Sequence, residues 1–278
     1  MFSRKQIAVL GAEFLGTFVL ALVMLSVQHS TIGLPYFVAA AAGLTLAMLT
    51  VMLSGNGGGH FNPAVTIGMW TVRQIKTLRA LAYLAAQLVG ALAAYWLYVY
   101  FIKTDLQPIT GPGYDPRMMA AEATGAFVLS MAYAAAVFNG YLSAKRGAIT
   151  GAAYALAIIL AASVTIGIIN PAIAFSVRAV AIGGFTGWGT YVLGPILGAI
   201  IGFNLYALLF AEESALLRVR AAVSQRLGRP RAAVAAAPAE APAATPRRRA
   251  GRPAAKRSTT RRASGGRRTR STTARARR

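Results

Sequence analysis

Long apolar runs alternate with short polar or glycine-rich breaks from the N-terminus to about Phe210. The runs cover about 7–27, 36–53, 81–102, 117–138, 148–164 and 186–210. Each reaches or approaches the roughly 20 residues that a helix needs to cross the hydrocarbon of a bilayer. Two further apolar stretches, about 62–72 and 170–180, are too short to cross. The pattern therefore predicts six spanning helices and two half-helices. A secretory signal would have a shorter apolar region and a small-residue cleavage site, so the first run reads as a span.

Both short stretches open on the same tripeptide, Asn62-Pro63-Ala64 and Asn170-Pro171-Ala172. Asn is a preferred N-cap, and Pro suits the first turn, where no amide hydrogen is needed. Each tripeptide thus marks a helix start, with its positive dipole end at the Asn. The interval from Asn62 to Asn170 recurs unchanged from Tyr83 to Tyr191 and from Gly90 to Gly198. Glu13 with Gly16 recurs as Glu122 with Gly125, at an interval longer by a single position. Repeated halves, each with one interrupted segment, are the mark of inverted-repeat membrane proteins with a site near the midplane. The expected organisation is a membrane domain over 1–213, with repeat one at about 5–103 and repeat two at about 116–211.

Charge changes this picture only once it is located. The net charge is +22, but residues 214–278 carry 19 Lys/Arg and the single acid Glu240. Residues 1–213 hold ten basic and six acidic side chains, so the apolar part is nearly neutral. From about residue 222 the tail lacks aromatic residues and cannot bury enough apolar area to fold, so disorder is expected. Basic residues also cluster at Arg4-Lys5, at 73–79 and at Lys145-Arg146, which by the positive-inside rule places both termini in the cytoplasm. The chain has no cysteine, which excludes disulfides, thiolate metal sites and cysteine nucleophiles. No catalytic group, metal or cofactor is called for.

The stretch Gly59-His60-Phe61-Asn62-Pro63-Ala64-Val65-Thr66 and the second Asn170-Pro171-Ala172 resemble the aquaporin, or major intrinsic protein, family. Glu13 with Gly16-Thr17, Glu122 with Gly125, Gln87 with Gly90-Ala91, and Trp188 with Tyr191 and Gly194-Pro195 match it too. The resemblance covers about residues 5–212. It implies an all-α membrane protein, six transmembrane helices plus two re-entrant half-helices in an inverted repeat. It further implies a homotetramer in the plasma membrane that passes water or small neutral solutes such as glycerol and excludes ions and protons. Asn62 and Asn170 would then meet at the pore midplane. The loops Gly58, Gly59, His60, Phe61 and Ile168, Ile169 would line the path, and Glu13 and Glu122 would brace them. Intramembrane carboxylates otherwise suggest proton carriers, so a proton-coupled transporter is the rival reading.

The outer constriction departs from the family. Its four positions, counted from the motifs, are Ala42, Ile158, Gly167 and Ile173. Most members have Arg where Ile173 stands. All four are apolar or Gly, which implies a wider or more hydrophobic filter. Arg178 lies five residues on, about 7.5 Å further along a helix, and is expected to extend outward from its end. The tail's charge fits anionic lipid headgroups, at about 1 kcal/mol per basic residue near the surface. Nucleic acid is the weaker alternative, because no stacking aromatics accompany the charges. Reactive tags in 28–34 or 103–115 are expected to be labelled from outside intact cells, and tags near Lys145 or in the tail only after lysis. Labelling of an intact cell's tail would overturn the orientation.

Overall fold

The structure, a computed structural model, describes residues 3–30, 35–56, 58–109, 113–180 and 185–211. The basic tail lies outside the described residues, as do Gly57 and residues 31–34. Eight longer helices and a short 3-10 turn, Ser54–Asn56, are formed among the described residues, and no strand. They are α1 (Arg4–Gln28), α2 (Pro35–Leu53), α3 (Pro63–Thr71), α4 (Thr77–Ile102), α5 (Pro116–Phe138), α6 (Ser143–Ala161), α7 (Pro171–Ser176) and α8 (Phe185–Leu209). All but α3 and α7 are long and apolar enough to cross a membrane. Large apolar side chains such as Leu44, Leu78, Tyr100 and Leu208 are exposed, which suits a surface solvated by lipid tails.

Local chemistry sets the ends. Ser3 and Gln6 form a reciprocal capping box at the start of α1, and Asp115 caps α5 ahead of Pro116. Within α8 the chain widens into a π-helical turn at Gly189–Leu193, just before Pro195. Proline has no amide hydrogen to give the preceding turn, and widening accommodates that gap. The second half-helix is shorter than its sequence suggests: α7 ends at Ser176, and the backbone turns left-handed at Arg178 (φ 56°). Conversely α6 begins at Ser143, because Lys145 and Arg146 extend the helix beyond its apolar run.

The helices pack as two related sets. α1 lies on α4, α5 on α8, and α2 on α6 across the repeats. Each half-helix leans mainly on the other repeat's last span, α3 on α8 and α7 on α4. Lipid gives helices no hydrophobic reason to associate, so close contact between small residues must hold them together. Gly90 rests on the backbone of α1 at Phe14, and its counterpart Gly198 on the backbone of α5 at Ala123. Gly43 and Gly151, themselves counterparts in the repeat, meet each other where α2 crosses α6. A Cβ on Gly43 would stand 2.6 Å from the Gly151 carbonyl oxygen. Equivalent residues touch only where the axis relating the repeats passes between them.

This crossing yields a test. Gly151→Leu forces two backbones apart and is expected to destabilise the fold by about 1–3 kcal/mol, the usual range for overpacking. Gly11→Ala, with nothing within 4 Å of its added carbon, is the control. Equal thermal midpoints for both variants in detergent would contradict the close crossing.

Candidate functional site: two loops joined at paired asparagines

Each half-helix is entered through an irregular loop whose amides are gathered by one buried carboxylate. Glu13 Oε1 accepts from the backbone N–H of Gly59 (2.6 Å) and His60 (2.9 Å). Its Oε2 accepts from the Phe61 N–H (2.8 Å) and the Gln87 amide (2.7 Å). Gly58 lies directly beneath, where a Cβ would come within 3.1 Å of Oε1. In the second repeat, Glu122 accepts from the N–H of Ile168 (3.0 Å) and Ile169 (2.6 Å) and from the Thr165 hydroxyl (2.6 Å). The Thr165 oxygen in turn accepts from the Gly167 N–H at 2.9 Å. Glu13 thus accepts four hydrogen bonds and Glu122 three, which fits the bracing of the loops.

Phe61 and Ile169, the residues before the two Asn, both take positive φ, 50° and 59°. Side chains rarely adopt this region, and it persists only where the surroundings enforce it. The repeated glycines make room for it. The Phe61 ring lies so close to Gly16 that a Cβ there would come within 2.8 Å of its Cγ, and the Ile169 side chain lies likewise on Gly125. Glu-x-x-Gly is thus one unit: the acid holds the loop amides, and the glycine, one turn on, admits the strained side chain.

The strained backbone turns each loop's last carbonyl toward the opposite Asn. Asn62 Nδ2 donates to the Ile169 carbonyl (3.1 Å), and Asn170 Nδ2 donates to the Phe61 carbonyl (2.8 Å). Their Oδ1 atoms cap the half-helices, accepting from the N–H of Ala64 (2.8 Å) and Ala172 (3.1 Å). Pro63 and Pro171 occupy the first helical positions. An amide nitrogen has two hydrogens, so each Asn keeps one beyond the bond to the opposite loop. Asn62 is 4% exposed and Asn170 fully buried. His60, also buried, is 3.1 Å from the Thr66 hydroxyl through Nδ1 and stands edge-on to Tyr83.

Two tyrosines complete the site, and the sequence reading did not single them out. Tyr133 donates its hydroxyl hydrogen to the Gly59 carbonyl (3.1 Å), and Tyr154 to the Ile168 carbonyl (3.0 Å). Helical spacing carried the signal: Tyr133 lies three turns beyond Glu122 on one face, and Tyr154 one turn before Ile158. Between these tyrosines, His60, Leu20 and the paired Asn runs a cleft too narrow for a water molecule. Among the described residues, no three His, Cys, Asp or Glu gather as metal ligands would.

The family model described as major intrinsic protein matches residues 2–206. The chain belongs to the major intrinsic protein family. It is 32% identical to Aquaporin Z of Photorhabdus laumondii over 228 residues, 73% of this chain and 98% of that protein. It is 31% identical to glycerol uptake facilitator protein-like 6 of Lactiplantibacillus plantarum, over 68% of this chain and 92% of that one. The solved aquaglyceroporin of Plasmodium falciparum has the same fold, with a TM-score of 0.60 at 18% identity, covering 73% of this chain and 96% of that one. The major intrinsic proteins are channels and not enzymes, and this member is a multi-pass integral membrane protein.

The four candidate constriction positions of this major intrinsic protein are all buried. Ala42, Ile158 and Ile173 are each 0% exposed, and a Cβ on Gly167 would stand 2.8 Å from the Ile158 carbonyl oxygen. Arg178 is not on the half-helix at all and does not extend freely outward as the sequence suggests. Its guanidinium donates to Asp105 (2.8 Å) and to the Leu106 carbonyl (2.8 Å), while its own carbonyl accepts from the Ile109 N–H. It straps the α4–α5 loop to the end of α7. The Tyr95 hydroxyl also bonds Asp105, and with Arg178 it holds that carboxyl below the usual carboxylate range.

Glu13→Gln replaces an acceptor oxygen with an NH2 that faces loop N–H groups. Losing a buried hydrogen bond to a charged group costs about 1.5–3 kcal/mol, so the variant is expected to melt well below the parent, and Glu122→Gln likewise. Unshifted melting of both purified variants would show that the carboxylates do not hold the loops.

Proposed function

We propose that the chain is a passive channel for water and small neutral solutes such as glycerol, running between the two half-helices. The observation that carries this reading is the pair of Asn amides, each fixed by its own helix and by the opposite loop's carbonyl. A passing oxygen can accept one N–H from each. A water held in that way has its acceptor positions filled and does not relay a proton along a file. The half-helices add the positive ends of two dipoles, which disfavours cations. Relatives named as an aquaporin and as a glycerol uptake facilitator support the solute class.

The same reading assigns Asn62, Pro63, Ala64, Asn170, Pro171 and Ala172 to the midplane, and Ala42, Ile158, Gly167 and Ile173 to an apolar outer ring. It takes the protein as a homotetramer of the plasma membrane with both termini cytoplasmic. Residues 1–213 are the channel, and the basic tail from 214 lies against anionic headgroups.

Purified protein in liposomes tests it. Water and glycerol are expected to equilibrate without any proton gradient, and gradient-driven accumulation would overturn the reading. Ile173→Arg adds a bulky group with five donors. It is expected to lower the glycerol-to-water permeability ratio by about tenfold, the scale on which pockets discriminate by size. A constant ratio would remove Ile173 from the constriction.

A further inference from the structure

The Tyr154 hydroxyl stands where a permeating molecule would. It donates to the Ile168 carbonyl at 3.0 Å and lines the same narrow cleft as the Asn170 side chain. A water passing the midplane would accept from an Asn and donate to the neighbouring loop carbonyl, and the second of these bonds is the one the phenol already makes. Ile168 sits between Gly167, a constriction position, and Ile169, whose carbonyl takes the Asn62 amide. The capped carbonyl is therefore on the line joining the constriction to the Asn pair. The hydroxyl is also 3.5 Å from the Met24 sulfur, and Tyr154 is only 1% exposed, so its ring fills the cleft at this level. The counterpart of Tyr154 in the first repeat is Leu46, which has no polar atom to offer. The first loop's carbonyl is instead taken by Tyr133, from a different helix, so both loops are capped by a phenol but from positions the repeat does not relate.

We infer that Tyr154 is a specificity-determining residue of the pore, its hydroxyl competing with the permeating molecule for the Ile168 carbonyl beside Asn170. The inference rests on the channel reading above. Conduction requires the phenol to turn aside, and a solute that accepts from Asn170 must also donate to the freed Ile168 carbonyl for the exchange to be even. A hydroxyl oxygen does so, because one atom both accepts and donates. The solutes selected are then water and polyols, in preference to molecules that can only accept.

The test uses full-length protein in liposomes, with flux expressed per folded protein. Tyr154→Phe keeps the ring and removes the competing hydroxyl. It is expected to raise water permeability about fivefold, the factor that one net hydrogen bond is worth. Tyr154→Val removes the ring as well and is expected to raise water and glycerol permeability together. Because the natural chain has no cysteine, Tyr154→Cys gives an independent reading. A small mercurial is expected to block its water flux, while Leu156→Cys, exposed on the same helix, reacts without effect. Wild-type flux or less in both the Phe and Val variants, alongside a conducting parent, overturns the inference and leaves the channel reading intact. Where those variants do not fold, a Tyr154→Cys channel indifferent to mercurial overturns it instead. Silence of the parent and every variant overturns the channel reading, and this inference with it.

Discussion

Irregular backbone at membrane depth has no water to bond with, and an unpaired amide or carbonyl there costs several kcal/mol. Most of the polar chemistry inside this protein answers that constraint. Glu13 and Glu122 collect the loop N–H groups, Tyr133 and Tyr154 take carbonyls from the same loops, and Asn62 and Asn170 take one carbonyl each across the midplane. Remove these side chains and the half-helices lose their reason to point at each other. A narrow cleft is what remains between loops that have been satisfied this way.

The repeat distributes these tasks almost evenly, and the exceptions are informative. Three loop amides meet Glu13 directly, while Glu122 receives two and reaches the Gly167 amide only through the Thr165 hydroxyl. Gln87 adds a fourth donor to Glu13; its counterpart in the second repeat is Pro195, which has no side-chain donor and instead adjoins the π-turn of α8. The framework glycines hold to the repeat more strictly, at Gly43 with Gly151, Gly90 with Gly198, and Gly16 with Gly125. Helix spacing tolerates no added carbon at these crossings, whereas a hydrogen bond can be supplied from several directions.

Much of the fold is legible in the chain because its signals are local. Run lengths mark the spans, Asn-Pro marks the half-helix starts, and the near-constant interval between paired motifs reveals the duplication. Side-chain geometry at the site is less legible, since it depends on approach between distant segments. Helical spacing puts Tyr154 on the face of Ile158, but does not show that its hydroxyl meets a carbonyl 14 residues later, in a loop entering from the far end of α6. The left-handed turn at Arg178 is likewise invisible to a count along a helix. Its cause is the α4–α5 loop, which offers Asp105 and the Leu106 carbonyl to the guanidinium.

On the proposed channel reading, the departure from the family pattern at Ile173 bears on where selection happens. With Ile173 in place of Arg, the candidate outer ring offers a solute no side-chain hydrogen bond, and its closed packing around Ile158 and Gly167 opposes passage by sterics and desolvation alone. A ring of that kind distinguishes solutes by size but not by hydrogen-bonding character. Chemical discrimination must then come from the next polar groups along the path, which are the Ile168 carbonyl and the Asn170 amide. Tyr154 donates to the first and lines the same narrow cleft as the second. With no fixed donor in that ring, this reading moves chemical selection inward, to a phenol that must be displaced from the Ile168 carbonyl.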